Sequence, residues 1–131
     1  MKKIITITVI IFALIAVFYV VFQILRVQDI VLRKWFFPKE YSEYVERYSE
    51  AFQVDPLLIY AIIKAESGFD SQARSRVGAM GLMQVMEGTG LEVAEIKGIE
   101  LEGAQGLYEP AINIKIGIAY LKSLIELFER Q

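Results

Sequence analysis

The longest hydrophobic stretch of the chain lies at its amino terminus. Residues 4–25 (IITITVIIFALIAVFYVVFQIL) contain 22 positions without a charge, and a helix of that length crosses about 30 Å of hydrocarbon at roughly 1.5 Å per residue. A cleaved signal peptide would instead have an apolar core of about 7–15 residues that ends at small residues in an A-x-A pattern. Because no such site follows the run, we interpret residues 1–25 as a retained transmembrane anchor.

Residues 26–39 (RVQDIVLRKWFFPK) follow the anchor and are interpreted as a juxtamembrane linker. The aromatic residues 35–37 lie either at the bilayer surface or on the following domain, and the pattern does not decide between the two. Two lysines precede the anchor and three basic residues follow it closely, so the positive-inside rule leaves its orientation open.

From residue 40 onward the hydrophobic residues recur at helical spacing, and no segment alternates polar and apolar positions for long. Residues 40–53 (EYSEYVERYSEAFQ) carry aromatic and aliphatic residues three or four positions apart, which is typical of a helix with one core-facing side. Asp55 and Pro56 form a strong start signal for a second helix, because aspartate caps a helix and proline suits its first turn. Residues 40–131 are therefore predicted to form one all-α domain.

Glycine, threonine and proline mark the remaining boundaries. Gly68 ends the second helix, and residues 98–108 read as a loop. Thr89 and Glu92 fit a capping box that opens a short third helix. Pro110 opens the last helix. The predicted apolar face of that helix consists of Ile112, Ile116, Ala119, Tyr120, Leu124, Leu127 and Phe128.

The composition removes several classes of function. The chain has neither histidine nor cysteine, which excludes serine–histidine and cysteine–histidine catalysis, disulfides and most zinc sites. All 16 acidic residues but only 12 of the 14 basic residues follow residue 25, so that part carries a net charge of about −4. It contains no basic run and no glycine-rich phosphate loop, so we expect no nucleic-acid partner. Catalysis must rest on carboxylates, hydroxyls, lysines or backbone groups.

One carboxylate stands at the end of a nearly all-apolar helical stretch, YAIIKAESGFD. Ile63, Ile62 and Ile59 precede Glu66 by three, four and seven positions, which places the acid on the apolar face of the helix. Desolvation and the negative end of the helix dipole both disfavour the ionised form, and a protonated acid is what a glycosidase needs. Periodicity alone also allows the alternative that Glu66 turns to solvent at a frayed last turn.

Three sequence blocks resemble the soluble-type lytic transglycosylases, the goose-lysozyme-like enzymes that cut peptidoglycan. They are ESGFD at 66–70, GAMGLMQVM at 78–86 and LYEPAINIKIGIAYLKSL at 107–124. Their order and spacing agree with the family over roughly residues 41–124. The resemblance implies a lysozyme-like helical fold, a peptidoglycan substrate, and no metal or cofactor.

By this resemblance Glu66 matches the catalytic glutamate, which donates a proton to the oxygen between N-acetylmuramic acid and N-acetylglucosamine. It then takes the proton of the sugar's own 6-hydroxyl, which attacks C1 and closes a 1,6-anhydro ring, so no second carboxylate is required. Asp70 is interpreted as a loop or capping residue. The residues that match the substrate-binding cleft are Ser67, Gly81, Leu82, Met83, Gln84 and Met86.

Other positions of these blocks are interpreted as structural. Met80 and Met83 are most simply explained as core residues, although Met83 also belongs to the matched cleft. Asn113, Gly117 and Tyr120 match a helix that packs behind the site.

The chain departs from the family pattern in two places. Glu87 stands where the family usually has proline, and no counterpart of the family's AYNAG block, whose tyrosine lies against the catalytic acid, occurs up to Gln131. The resemblance therefore predicts a domain that lacks part of its cleft. It leaves open a fragment of a longer protein, a short form completed by self-association or a partner chain, and a non-catalytic glycan-binding or scaffold protein.

The leading hypothesis is a lytic transglycosylase anchored in the cell membrane, with its domain on the extracytoplasmic side because peptidoglycan lies there. The alternative within the same substrate class is a muramidase, which uses water as the nucleophile and would need a second carboxylate.

Overall fold

The computed structural model describes residues 14–24 and 39–130. Residues 14–24 are helical, with nearly all of their side chains exposed. Over the two described ranges, no helix has the length and apolarity needed to cross a membrane. Most of the predicted anchor at 1–25 and nearly all of the predicted linker at 26–39 lie outside the described residues, so both stay predictions.

Contacts divide the chain into two compact units, Met1–Phe37 and Pro38–Gln131. The described part of the second unit, residues 39–130, contains four α-helices and two 3₁₀ helices. The α-helices are α1 (Ser42–Phe52), α2 (Pro56–Glu66), α3 (Glu87–Lys97) and α4 (Pro110–Glu129), and the 3₁₀ helices are Lys39–Tyr41 and Ala104–Tyr108. Among the described residues β-structure is limited to two isolated bridges. The all-α prediction is confirmed for this part of the chain.

Helix α4 is the central element of the second unit. It packs against α1, α3 and the 3₁₀ helix Ala104–Tyr108, and α1 packs in turn against α2. Each fully buried aliphatic side chain of such a core contributes about 1.5–3 kcal/mol relative to its exposed state. The fully buried aliphatic side chains are Val45, Ile59, Ile63, Leu82, Leu107, Ile114, Ile116 and Ile118.

The start of α2 follows the sequence signals. The Asp55 carboxylate accepts a hydrogen bond from the Leu57 backbone N–H at 2.9 Å, and Pro56 occupies the first helical position. The helix ends at Glu66, and Gly68 follows it in the left-handed conformation with φ +60°. Both predicted boundaries of α2 are confirmed, and they place Glu66 in the last turn.

The predicted start of α3 is wrong by three residues, because the capping box makes Thr89 the N-cap residue. The helix begins at Glu87, with Met86 as its N-cap residue and no side-chain capping bond. Thr89 therefore lies inside the first turn and does not cap the helix. The following residue, Gly90, is buried against the Leu107 side chain, so packing against that leucine explains why the helix starts earlier than the capping pattern suggests.

The predicted apolar face of α4 is correct only in its first half. Ile116 and Ala119 are fully buried, whereas Tyr120 is 42% exposed, Leu127 is 55% exposed and Phe128 is 70% exposed. The second half of the helix extends past its partners in the described chain. Hydrophobic periodicity predicts which residues share a face, but it does not predict where the packing partner ends.

Candidate active site

Glu66 is the last residue of α2 and its side chain is exposed. Ile59 and Ile63, which precede it on the same side of the helix, are fully buried. The expectation that Glu66 also lies in apolar surroundings is therefore wrong for the described residues, because the buried row reaches the protein surface at the helix end. Within residues 39–130 no hydrogen bond or ion pair of the Glu66 carboxylate is found, which leaves both oxygens open to a ligand.

Ser67 connects this helix end to a loop farther along the chain. Its hydroxyl lies 2.8 Å from the carbonyl oxygen of Leu82 and 3.1 Å from that of Ile63, and it accepts a hydrogen bond from the Phe69 N–H at 3.2 Å. The single hydroxyl proton is best placed on the shorter contact, which joins α2 to the loop. The residue beside Glu66 is thus held from two sides.

The turn after Ser67 is tight. Phe69 has a positive φ of +71°, and the Lys64 ammonium lies 5.9 Å from the centre of its ring, within cation–π range. The Asp70 carboxylate accepts a hydrogen bond from the Gln72 N–H at 2.9 Å. Asp70 thus closes a local turn, in line with its interpretation as a loop residue.

Residues 78–86, which we call the methionine loop, fold back on themselves. The backbones of Met80 and Val85 exchange two hydrogen bonds of 3.0 Å, and Gly81 donates to the carbonyl of Ala73 at 2.9 Å. Gln84 adopts a positive φ of +48°, and its side-chain amide donates to the Gly81 carbonyl at 2.9 Å and the Ala73 carbonyl at 3.2 Å. The loop is therefore held by its own polar groups.

A single buried amide attaches the methionine loop to α4. Asn113 is fully buried; its Oδ1 accepts from the Met83 N–H at 2.8 Å, and its Nδ2 donates to the carbonyls of Met80 and Leu107 at 2.9 and 2.7 Å. From the sequence, Asn113 has a structural role only by the family resemblance. The direct signal was available, because a lone asparagine flanked by isoleucines on an apolar helix needs buried partners.

The structure separates the predicted cleft residues into two groups. Leu82 is 0% exposed and Met83 is 9% exposed, and Gly81 is buried as well. The Leu82 and Met83 side chains are turned inward, with Met83 against Gly117 of α4, and the assignment of these two residues to the cleft stays a prediction. These positions belong to the core, as the alternative interpretation of Met83 stated.

The second group is accessible. Met86 is 43% exposed, Glu66 is exposed, and Gln84 and Ser67 are partly exposed. The side chains that a ligand can reach are thus the acid, the end of the methionine loop and the serine that joins them. Over the described ranges no group of three or more acidic residues is placed to hold a metal ion. A carboxyl group such as that of Glu66 is chemically able to transfer a proton.

Comparison with known proteins identifies the family of this domain. The family model described as "Transglycosylase SLT domain" matches residues 43–131. The chain belongs to this family. It is 34% identical over 93 residues to the soluble lytic murein transglycosylase of Salmonella typhimurium, an alignment that covers 70% of this chain and 14% of the relative. It is 44% identical over 87 residues to the membrane-bound lytic murein transglycosylase C of Edwardsiella ictaluri, covering 65% of this chain and 24% of the relative.

Solved structures of the SLT family share the fold. An inactive mutant of the lytic transglycosylase Slt from Pseudomonas aeruginosa superposes with a TM-score of 0.70 at 38% identity, covering 75% of this chain and 16% of that one. The 70-kDa soluble lytic transglycosylase, solved in complex with bulgecin A, has a TM-score of 0.68 at 32% identity. The chain thus spans less than a quarter of the length of these proteins, and the similarity concerns their SLT domain.

Proposed function

We propose that this SLT domain is a peptidoglycan lytic transglycosylase that cleaves the β-1,4 bond between N-acetylmuramic acid and N-acetylglucosamine. The observation that carries the proposal is the position of Glu66. Its carboxylate is exposed and unpaired among the described residues at the end of α2, while the adjacent Ser67 is fastened to the Leu82 carbonyl at 2.8 Å. A reactive acid on a fixed backbone is the arrangement that general acid–base catalysis requires.

In the proposed reaction Glu66 acts twice. Its protonated carboxyl donates a proton to the glycosidic oxygen as the bond from that oxygen to C1 of the muramic acid breaks. The 6-hydroxyl of the same sugar attacks C1, and the Glu66 carboxylate takes the hydroxyl proton as the 1,6-anhydro ring closes. The acid is regenerated and water is not consumed. The reaction therefore does not require the second carboxylate that hydrolases place about 5–10 Å from the first.

Two accessible residues of the methionine loop have supporting roles in this proposal. Met86 offers an exposed apolar side chain and Gln84 a partly exposed amide, which suit the face and the polar groups of a sugar ring. Gly81, Leu82 and Met83 act through the backbone and the core rather than through side-chain contact with the glycan. Ser67 holds the end of the helix.

We also propose that residues 1–25 anchor the domain in the cell membrane, on the extracytoplasmic side where peptidoglycan lies. The support is the uncharged run of 22 residues, together with the membrane-bound name of the Edwardsiella relative. The proposal is tested by treating intact and lysed cells with protease. The domain should be accessible once the outer face of the membrane is exposed, and a domain protected until the membrane is broken would contradict the orientation.

The reaction class is tested by a mass spectrum of the products. The full-length chain in detergent is incubated with purified peptidoglycan in water enriched in ¹⁸O. Products that end in 1,6-anhydro-muramic acid without ¹⁸O are expected. New products that end in reducing muramic acid, in place of the anhydro form, would identify a muramidase and contradict the proposal, because a hydrolase adds water across the cleaved bond.

One observation favours a second candidate, a domain that binds glycan and depends on a partner for turnover. Glu66 is exposed among residues 39–130, and in this candidate a wall supplied by a partner chain or by self-association completes the site. Bulgecin A, which the 70-kDa soluble lytic transglycosylase binds in its crystal, is a suitable probe. Binding of bulgecin A by a folded chain that forms no product, and that sediments as a monomer, would favour this candidate.

A further inference from the structure

We propose that Asn113, which lies on α4 behind the site, is a positioning residue for Glu66. It fixes the methionine loop, and the loop in turn fixes the end of α2. The inference rests on the proposed function for its catalytic consequence, but its structural steps are independent of it.

The first step is that Asn113 has no spare hydrogen-bonding capacity for donation. Both hydrogens of Nδ2 are used, on the Met80 and Leu107 carbonyls, and Oδ1 accepts from the Met83 N–H. The side chain is fully buried, so none of these groups can exchange its partner for water. An aspartate of the same shape would set an oxygen against two carbonyl oxygens. An apolar residue would remove all three hydrogen bonds and leave only the Met80 carbonyl with another donor, the Val85 N–H.

The second step is that the loop cannot slide on α4. A Cβ on Gly81 would overlap the Asn113 side chain and the Leu107 carbonyl, so the backbone there already lies in direct contact with the amide. Gly117 lies one turn farther along α4, and a Cβ there would be only 3.0 Å from Cβ and Cε of Met83. The two contacts lie one helical turn apart and define the position of the loop along the helix axis.

The third step joins the loop to the acid. Leu82 lies between the residues that Asn113 holds, and its carbonyl oxygen is the acceptor 2.8 Å from the Ser67 hydroxyl. Ser67 directly follows Glu66 in the chain. Two hydrogen-bonded contacts therefore separate the Asn113 amide from the backbone of the acid. Since a misplacement of about 1 Å can lower a catalysed rate about 100-fold, a shift of the loop is expected to reach the reaction.

The test measures the rate of anhydro-muropeptide formation by the full-length chain with soluble glycan strands. Asn113→Asp and Ser67→Ala are each expected to lower kcat about 10- to 100-fold, with KM changed by less than about threefold. In the double variant the losses should not multiply, because both changes release the same contact. Val45→Ala is the control for stability alone, because Val45 is fully buried on α1. This substitution should lower the unfolding midpoint without lowering kcat of the folded protein.

Three results would overturn the inference: a kcat of Asn113→Asp equal to that of the parent, a loss that matches Val45→Ala at equal folded fraction, or losses that multiply with Ser67→Ala. If Asn113→Asp does not fold, Gly117→Ala takes its place, because its added methyl group displaces the loop through the flexible Met83 side chain. It is expected to lower kcat of the folded protein, and an unchanged kcat would equally contradict the inference.

Amide hydrogen exchange separates this inference from the proposed function. If the parent chain forms no product, the proposed function fails, but the positioning can still be read from the backbone. Asn113→Asp should speed exchange at the Met83 N–H, because the new oxygen repels the Met80 and Leu107 carbonyls and displaces the loop. Exchange should also become faster at the Phe69 N–H, which donates to the Ser67 hydroxyl. Faster exchange at Met83 alone would show that the loop and the helix end are not coupled.

Discussion

The two sides of the candidate site differ in how they use their polar groups. On the loop side, Asn113, Gln84 and the backbone of Gly81 donate or accept hydrogen bonds within the protein, and the amide of Asn113 is fully buried. On the open side, Glu66 is exposed and its carboxylate is unpaired among the described residues, and Met86 is 43% exposed. The hydrogen bonds of the loop side thus hold the site in place, and the Glu66 carboxylate is left available to a ligand.

Helix α4 shows the same difference along its length. In its first half, Asn113 and Gly117 contact the methionine loop. In its second half, Tyr120 and Phe128 are exposed. If the loop side is the rigid part, changes there should affect stability most. Changes elsewhere should have progressively smaller effects.

Gly81→Ala is expected to have the largest effect on stability. The residue has a positive φ of +74°, and an added Cβ would overlap the Leu107 carbonyl and the Asn113 side chain. Strain and overpacking together should lower the free energy of unfolding by about 2–5 kcal/mol. Urea unfolding followed by circular dichroism measures this change.

Gly78→Ala is the matched control for that prediction. Gly78 also has a positive φ, of +93°, but no atom lies within 4 Å of the position of its Cβ. The cost should be limited to backbone strain of about 1–2 kcal/mol. Equal losses for the two alanine variants would show that the contact between Gly81 and Asn113 is not tight.

Asp55→Ala is expected to lower the free energy of unfolding by about 1 kcal/mol, because it removes the capping acceptor of the Leu57 N–H. Asp55→Asn keeps the acceptor and should cost much less. A thermal unfolding series of the two variants measures the difference. An equal loss in both would mean that the charge at the helix start, and not the cap, provides the stabilisation.

Ser49→Ala is expected to leave stability unchanged or to raise it by up to about 1 kcal/mol. Ser49 is 2% exposed on α1, and its hydroxyl is buried without a hydrogen-bond partner among the described residues. Ser123→Ala is the comparison, because the Ser123 hydroxyl donates to the Ala119 carbonyl at 3.0 Å. A clear loss of stability in Ser49→Ala under the same urea titration would reveal a bond that the structure lacks.

We expect the free energy of unfolding to fall slightly in alkaline solution because of Tyr60. Burial, and then the negative charge of Glu46, raise the pKa of Tyr60 above its ordinary value of 10.0. The folded state thus favours the neutral phenol, so this contribution is complete below pH 10.0 and declines as pH rises from there through the folded pKa. Urea unfolding at about pH 9 and about pH 11 should show a drop that is smaller in Tyr60→Phe. An identical drop in both would assign the effect to other groups.

Local signals predicted the helices well and the surroundings of the acid poorly. The cap at Asp55 and the proline at Pro110 depend only on neighbouring residues, and both helix starts were predicted correctly. The exposure of Glu66 depends on what packs over the end of α2, and no pattern within α2 contains that information. The spacing of the isoleucines predicts which side of α2 is apolar, but it does not predict how far along the helix that side stays buried.

The methionine loop shows the same limit on prediction. The family resemblance assigned Leu82 and Met83 to the cleft, and the structure shows that their side chains are buried. Their orientation follows from the hydrogen bonds of Asn113 and the contact of Met83 with Gly117, which lie about 30 residues farther along the chain. A contact between segments so distant in sequence cannot be inferred from the periodicity of either one.

The central claim is that Glu66 is the group that transfers the proton, and one measurement tests it directly. The rate of anhydro-muropeptide release is compared for the parent, Glu66→Gln and Glu87→Gln, where Glu87 is an exposed acid at the start of α3 beside the methionine loop. The account predicts a loss of about 10²- to 10⁴-fold for Glu66→Gln, an unchanged fold, and a rate close to that of the parent for Glu87→Gln. A folded Glu66→Gln variant that releases anhydro products at the parent rate would contradict the claim.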